Sequence, residues 1–241
     1  MKLSFKTIIV TCIAAAVALL ILTSGFFTVT TVEITGLNLL TEQQVKDAMG
    51  LNQPGNFFVY SSGKGRKNLL KNNYVQDVEV HKKFPDTIQV KVKERVPGGY
   101  VEVKYLKGKY LYIDENGVVM DVLTTPADHL PIVEGLDFKD FTLGKPLPVT
   151  NKQSLNKMVE LSHLFTKNNL NNTVITVDVS DVKDLHFYLY SMDVRFGDIS
   201  DADVKMQNLV AILQAMPDVE TARGFLDLRD VTKRPYFQYL T

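Results

Sequence analysis

The sequence is poor in the residues and patterns that several classes of protein require. It has one cysteine among 241 residues, so no disulfide can form within the chain and no cysteine-based metal site can be built. Its 27 basic and 27 acidic residues cancel, which gives no indication of nucleic acid as a partner. The apolar content of 45% is ordinary for a globular protein, and burial of apolar side chains must therefore stabilise the fold.

Patterns that would indicate an enzyme or a metalloprotein are also missing from the sequence. The four histidines are His81, His129, His163 and His186, and no two of them have the i, i+4 spacing of a helical metal site. No G-x-S-x-G motif is present to hold a strained serine nucleophile. We therefore interpret the histidines as surface or packing residues and predict no catalytic residue, no cofactor and no metal.

Two short segments match ligand-binding patterns only in part. Asp114–Gly117 lacks the spacing and the closing glutamate of a calcium loop, so we interpret it as a hairpin turn. Gly63–Lys67 is basic and contains glycine, but it lacks the phosphate-loop pattern. We interpret it as a solvated connection, with contact to anionic lipid headgroups or to another protein as the alternative.

An N-terminal apolar segment, Ile8–Phe27, contains no charged residue. As a helix its 20 residues would extend about 30 Å, which matches the hydrocarbon core of a bilayer. Lys2 and Lys6 precede it and Glu33 is the first charge after it, so the positive-inside rule predicts a short cytoplasmic tail and an external remainder. A cleavable signal peptide is the alternative, since it shares the basic start and the apolar run.

The next part of the chain has the patterns of a small domain with the order β-α-α-β-β. TVTTVE, residues 28–33, is β-branched and predicts a strand, and Thr41 with Gln44 forms the capping box of a helix that Gly50 ends. A shorter helix is predicted within Ser61–Asn73. Two strands then flank a Pro-Asp turn in Val78–Val96, whose apolar residues alternate with polar ones.

Several motifs in this region occur together and in a fixed order. They are Val32–Asn38, Leu40–Glu42, Tyr74–Val80, Phe84–Ile88 and Lys93–Pro97. With an apolar run in front of it, this part of the chain resembles the POTRA domain of the FtsQ/DivIB bacterial cell-division family.

The remaining sequence is similar to the second, β-rich domain of that family. Leu130–Leu136 and Leu143–Leu147 resemble two of its motifs. The predicted elements are a hairpin over Tyr110–Met120 with Asn116-Gly117 supplying the positive φ angles of its turn, a helix over Ser154–Asn168, strands over Val174–Val179, Asp184–Tyr190 and Met192–Phe196, and a helix over Asp201–Met216 capped by Ser200. In that last helix Val204, Leu209, Ile212, Leu213 and Met216 are predicted to face inward.

The resemblance implies an α+β fold with a single N-terminal transmembrane helix, a POTRA domain, and a mixed α/β domain whose curved sheet ends in an edge strand. The predicted segments are a cytoplasmic tail over 1–7, the transmembrane helix over 8–27, the POTRA domain over 28–97, the β domain over 98–232, and a C-terminal tail over 233–241.

The last predicted strand, Ala222–Arg229, is the candidate binding site. Leu226 and Leu228 alternate with Phe225, Asp227 and Arg229, so the two leucines should face the core and the other three should point away from it. The strand resembles the closing strand of the family, which lies at the sheet edge and accepts a strand from FtsB/DivIC. In this interpretation Phe225 is the apolar contact, Arg229 pairs with an acidic side chain, and Tyr236 and Phe237 cover the added strand.

The resemblance further implies a membrane-anchored, non-catalytic scaffold at the division septum. Its partners would be FtsB/DivIC-type and FtsL-type bitopic proteins, and through them the FtsW/FtsI-type synthases of septal peptidoglycan. An enzyme of the cell wall and a POTRA-bearing transport component are the alternatives. The sequence has no catalytic pattern for the first and no alternating barrel strands for the second.

Overall fold

The computed structural model describes residues 5–22, 25–53, 55–126 and 130–240. The chain divides into two compact units, Met1–Arg95 and Val96–Thr241. Lys2 and His129, which the sequence interpretation used, lie outside the described residues.

The N-terminal apolar run forms a helix that is shorter than predicted. α1 covers Phe5–Leu22, and Gly25–Phe27 form a 3-10 turn rather than continuing the helix. The run cannot stay helical to its end because Phe27 is buried in the core of the first unit, where its carbonyl accepts a hydrogen bond from the Phe57 amide at 2.7 Å. Within the described residues, none of the helices is both long and apolar enough for a membrane crossing.

The first unit follows the predicted β-α-α-β-β order. Its elements are β1 Thr31–Thr35, α2 Glu42–Met49, α3 Ser62–Leu69, β2 Val75–Lys83 and β3 Thr87–Glu94. In its described part these strands form one sheet in the order β1-β3-β2, with β1 parallel and β2 antiparallel to β3. Both helices pack on this sheet around a core that contains Val45, Leu69, Val78, Ile88, Val90 and Val92, with Ile34 partly buried beside it.

Hydrogen bonds and turns fix the ends of α2 and of β3. Thr41 and Gln44 form the predicted capping box of α2, and Gly50 ends the helix with a φ of 71°. At the end of β3 the Glu94 carboxylate accepts the backbone amides of residues 38–40 at 2.7 to 2.9 Å. At the start of β3, Phe84 and Pro85 form the predicted turn from β2.

The basic segment Gly63–Lys67 is helical, which corrects its interpretation as a solvated connection. Ser61 caps α3 by accepting the Lys64 amide, and the buried Gly65 lets the helix approach Tyr60 and Met49. Arg66 donates to the Val78 carbonyl and to the Asp77 carboxylate, both at 2.7 Å. Part of the basic charge therefore holds α3 on β2.

The second unit is a mixed α/β structure built on one large sheet. Its elements are β4 Pro97–Glu102, β5 Tyr110–Asp114, β6 Val119–Leu123, β7 Ile132–Glu134, α4 Lys152–Lys167, β8 Val174–Asp178, β9 Leu185–Leu189, β10 Met192–Gly197, α5 Ala202–Ala215, β11 Gly224–Asp227 and β12 Phe237–Tyr239. The described residues form a nine-stranded sheet in the order β12-β11-β10-β9-β8-β7-β4-β5-β6. α4 and α5 bury Met158, Leu161, Phe165, Met206 and Leu209 in the same core as the strands.

The turn between β5 and β6 differs in detail from the prediction. Only Gly117, with a φ of 74°, adopts a positive φ; Asn116 does not. The Asp114 carboxylate accepts the amides of Asn116 and Val118 at 2.9 and 2.8 Å, which stabilises a turn that needs a single left-handed residue.

Two predictions about α5 are wrong. Ser200 does not cap the helix, because its hydroxyl and amide both donate to the Asp198 carboxylate; Asp201 is the N-cap residue, with a φ of 53°. Val204 is exposed, and its neighbour Lys205 is buried instead. The Lys205 ammonium donates to the Asp198 carbonyl at 2.9 Å and lies 5.1 Å from the Phe196 ring centroid, which compensates its burial.

The predicted edge strand is not at the edge of the sheet. β11 pairs with β10 on one side and with β12 on the other. β12 comes from the segment predicted as a tail, and it takes the position that the sequence interpretation assigned to a partner strand.

Candidate functional site

The end of the large sheet is built around β11. Its residues run parallel to β10, with Phe225 opposite Asp193 and Leu226 opposite Val194. Leu226 and Leu228 are fully buried, as predicted, and the Leu228 amide donates to the Arg195 carbonyl at 2.9 Å. Both leucines therefore hold the strand in place and have no side-chain surface for a partner.

A tight turn brings the chain back onto the outer side of β11. The Asp230 carboxylate accepts the Thr232 amide and hydroxyl at 3.0 and 2.6 Å and pairs with Lys233 at 3.0 Å. The Thr232 hydroxyl, followed by Lys233, lowers the pKa of Asp230 to about 2. The turn is thus fixed by a carboxylate that stays ionised at neutral pH.

β12 lies antiparallel to β11 at close range. Phe225 is opposite Gln238, and the Leu240 amide donates to the Arg223 carbonyl at 2.9 Å. A side chain at Gly224 would collide with the Gln238 carbonyl oxygen and would lie 2.6 Å from the Phe237 ring. A glycine at this position is what allows the two strands to pair.

The main-chain groups of β12 alternate between β11 and the open side of the sheet. Because Leu240 bonds towards β11, the amides and carbonyls of Phe237 and Tyr239 point outward. Within the part of the chain that the structure describes, nothing bonds to these outward groups. At the opposite edge, in contrast, Val119 of β6 exchanges hydrogen bonds with Gly144 and Lys145. β12 is therefore the open end of the sheet.

Side chains around this end are already engaged with one another. The Phe225 ring lies 4.1 Å from the Arg195 guanidinium, and Phe225 is half-buried. Arg229 donates two hydrogen bonds to Asp227, at 2.9 and 2.6 Å. These bonds hold the pKa of Asp227 below its usual value and raise that of Arg229. Arg229 is thus paired within the chain, and its contact with a partner's acidic side chain stays a prediction.

A histidine lies beside these pairs on β9. His186 has one ring nitrogen 3.1 Å from Asp193 and the other 3.3 Å from Asp184, while Arg195 also contacts Asp193 at 3.4 Å. Burial alone would lower the pKa of His186, but the hydrogen bonds and charges of the two carboxylates outweigh it and the pKa is raised. This face of the sheet carries a charge network that strengthens when His186 is protonated.

Aromatic side chains surround β12. Phe237 is half-buried against the core, and its ring centroid is 4.7 Å from that of Tyr239. The Tyr239 hydroxyl lies 3.3 Å from the Asp218 carboxylate, while Tyr236 is exposed. No group of three or more potential metal ligands occurs among the described residues. The arrangement is that of an open strand flanked by aromatic rings.

Comparison with known protein families matches both units. A family model described as the POTRA domain, FtsQ-type, matches residues 27–95, and one described as FtsQ/DivIB, C-terminal related, matches residues 102–225. The second match alone covers more than half of the chain. The chain belongs to the FtsQ/DivIB family.

Curated relatives agree with this assignment over most of the chain. The cell division protein DivIB of Clostridium tetani is 25% identical over 206 residues, which cover 84% of this chain and 76% of that protein. DivIB of Listeria monocytogenes is 28% identical over 211 residues, or 86% and 71% of the two chains. The cell division protein FtsQ of Geotalea daltonii is 28% identical over 145 residues, or 59% and 50%.

The matched ranges divide the candidate site of this FtsQ/DivIB protein. The C-terminal family model ends at Phe225, inside β11. The rest of β11, the Asp230 turn and β12 lie beyond it. Sequence reasoning missed β12 because a three-residue strand after a polar turn has almost no periodicity; the alternation of Phe237 and Tyr239 with Gln238 was the signal available.

Proposed function

We propose that this chain is a non-catalytic scaffold of the bacterial cell-division machinery. It binds FtsB/DivIC-type and FtsL-type bitopic proteins at the septum and through them helps control septal peptidoglycan synthesis by FtsW/FtsI-type enzymes. Membership of the FtsQ/DivIB family and the names of its relatives, all cell division proteins, support the division role. The observation that carries the binding role is the open edge of β12.

The proposal includes attachment to the cell membrane by the N-terminal apolar segment. Residues between Lys6 and Glu33 include no charge, and the lysines precede the apolar run, which supports a cytoplasmic tail over 1–7 and an extracytoplasmic bulk. The POTRA domain over 28–97 and the β domain over 98–232 then lie on the side where the external segments of bitopic proteins lie. β12, which follows the β domain and completes its sheet, presents the binding site there.

Binding occurs by strand addition. An extended partner segment pairs with the outward amides and carbonyls of Phe237 and Tyr239 and continues the sheet. The exposed Tyr236 ring packs against the added strand, and such aromatic contacts dominate many interfaces. The predicted site residues of β11 and the turn after it contribute indirectly, because they hold in place the strand with which β12 pairs. They are Phe225, Leu226, Asp227, Leu228 and Arg229.

Copurification tests this proposal. The full chain, expressed together with a tagged FtsB/DivIC-type and an FtsL-type protein, is expected to be retained with both. Tyr236→Ala should reduce retention several-fold, whereas Tyr105→Ala, an exposed tyrosine between β4 and β5 of the same sheet, should not. If Tyr236→Ala were retained as well as Tyr105→Ala and the parent chain, the β12 end would be excluded as the binding site.

A further inference from the structure

One end of the first unit exposes a group of large apolar side chains. Phe26, Phe58, Val59 and Phe84, which we call the aromatic patch, are 67%, 49%, 82% and 64% exposed. They come from three separate parts of the chain: the 3-10 turn, the segment before α3, and the turn between β2 and β3. Exposed apolar side chains that are scattered are common, but a contiguous group of this kind indicates an interaction surface.

Ring contacts connect the three phenylalanines of the patch, and Val59 follows Phe58 in the chain. Phe27, which is buried, has its ring centroid 5.1 Å from that of Phe26, 5.0 Å from Phe58 and 5.7 Å from Phe84. The buried Phe57 ring lies 5.5 Å from Phe58 and 6.2 Å from Phe84. The exposed rings thus pack against two buried rings, Phe27 and Phe57, which hold them in place.

Positive charge borders the patch. Lys82 and Lys83 immediately precede Phe84 and both are exposed. The Lys82 ammonium donates to the Phe57 carbonyl at 2.6 Å and lies 5.2 Å from the Phe57 ring centroid, so it is held beside the rings. The Asp86 carboxylate in the same turn accepts hydrogen bonds from the hydroxyls of Thr30 and Thr87.

We propose that the aromatic patch inserts into the headgroup region of a phospholipid bilayer and fixes the first unit on the membrane surface. Phenylalanine and other large apolar side chains enter the boundary between headgroups and acyl chains, and lysines beside them fit anionic headgroups. Lipid is the expected occupant because Phe26 is only four residues beyond Leu22, the end of α1. A bilayer that holds α1 would therefore lie close to the patch. The inference rests on the proposed attachment by the apolar segment.

Tryptophan fluorescence can test the insertion because the chain contains no tryptophan. Each variant of the full chain carries one tryptophan and is reconstituted into vesicles of phosphatidylethanolamine and phosphatidylglycerol that contain lipids brominated near the glycerol end of the acyl chains. The patch is probed by Phe58→Trp, Phe84→Trp and Val59→Trp, the last at the most exposed position. The matched control is Leu39→Trp, an exposed apolar position beside Glu94 at the opposite end of β3. Val17→Trp, at the middle of the apolar segment, is measured in vesicles whose lipids are brominated near the methyl ends of the acyl chains, and it reports attachment by α1.

The proposal expects strong quenching at the three patch positions, a blue shift of their emission, and neither effect at Leu39. Unquenched tryptophans at the patch together with a quenched Val17→Trp would overturn the insertion while leaving the attachment intact. An unquenched Val17→Trp would contradict the attachment itself. A blue shift at the patch without quenching by brominated lipid would show that protein covers it, and this too would overturn the proposal.

Discussion

At the scale of single residues, the open end of the large sheet depends on what Gly224 lacks. Any side chain there would meet the Gln238 carbonyl and the Phe237 ring, so the pairing of β11 with β12 requires glycine. The requirement is steric and does not arise from a left-handed backbone, since the φ of Gly224 is not positive. One atom at this position is therefore enough to separate the last strand from the sheet.

Gly224→Val is expected to release β12 without unfolding the second unit. The loss of the β12 hydrogen bonds and of part of the Phe237 packing should lower the free energy of unfolding by about 1 to 2 kcal/mol. Hydrogen exchange should speed up in the peptide containing Gln238 and Leu240 and stay unchanged in β9. Gly63→Ala is the control, because a methyl group there meets nothing within 4 Å. Full protection of the Leu240 amide in Gly224→Val would contradict the close pairing.

We predict that the stability contributed by the His186 network depends on pH. Because the folded-state pKa of His186 is raised by Asp193 and Asp184, its contribution to stability is fully present below about 6.5, the ordinary histidine value, and is lost as the pH rises through the folded-state value. The melting temperature of the parent protein should therefore exceed that of His186→Gln most at mildly acidic pH, with the gap narrowing as the pH is raised. The control is His163→Gln, at a half-exposed site on α4. A gap that widened towards alkaline pH would show that the two carboxylates do not favour the charged imidazole.

At the scale of elements, the sequence predicts those whose local pattern and tertiary environment agree. α2 has its capping box and its left-handed glycine, and in β3 the buried Ile88, Val90 and Val92 alternate with polar residues, so α2 and β3 were predictable. α5 is apolar around most of its circumference, and its sequence therefore does not reveal that Lys205 is buried and Val204 exposed. β12 gains its stability from pairing with β11, which is a tertiary interaction without a local pattern.

The alternation in β3 leads to a direct test of the core of the first unit. Val90→Asp places an unpaired carboxylate at a position that is 2% exposed, so we expect a loss of more than about 3 kcal/mol, enough to unfold the unit. Val59→Asp makes the same change at an exposed valine and should alter the melting transition little. Equal melting temperatures for the two variants would show that this face of β3 is not buried.

At the scale of the whole molecule, two units of one chain offer different surfaces. The first exposes aromatic rings next to the N-terminal apolar segment, and the second ends in an unpaired strand. Contiguous exposed apolar rings and unpaired strand edges are both features that binding surfaces use. The family assignment agrees with such a protein, since its relatives are cell division proteins.

Truncation of the chain can show whether β12 itself is the docking strand. The affinity of the full chain for the external segment of an FtsB/DivIC-type protein is compared with that of a chain ending at Pro235, after a cooperative melting transition has shown that the second unit is folded in both. Removal of β12 eliminates the outward amides and carbonyls and the Tyr236 ring, so we predict a loss of at least about tenfold, or 1.4 kcal/mol. Unchanged or tighter binding by the shortened chain would exclude β12 as the docking strand, because it would show that the partner pairs with β11 and that β12 only occupies its place.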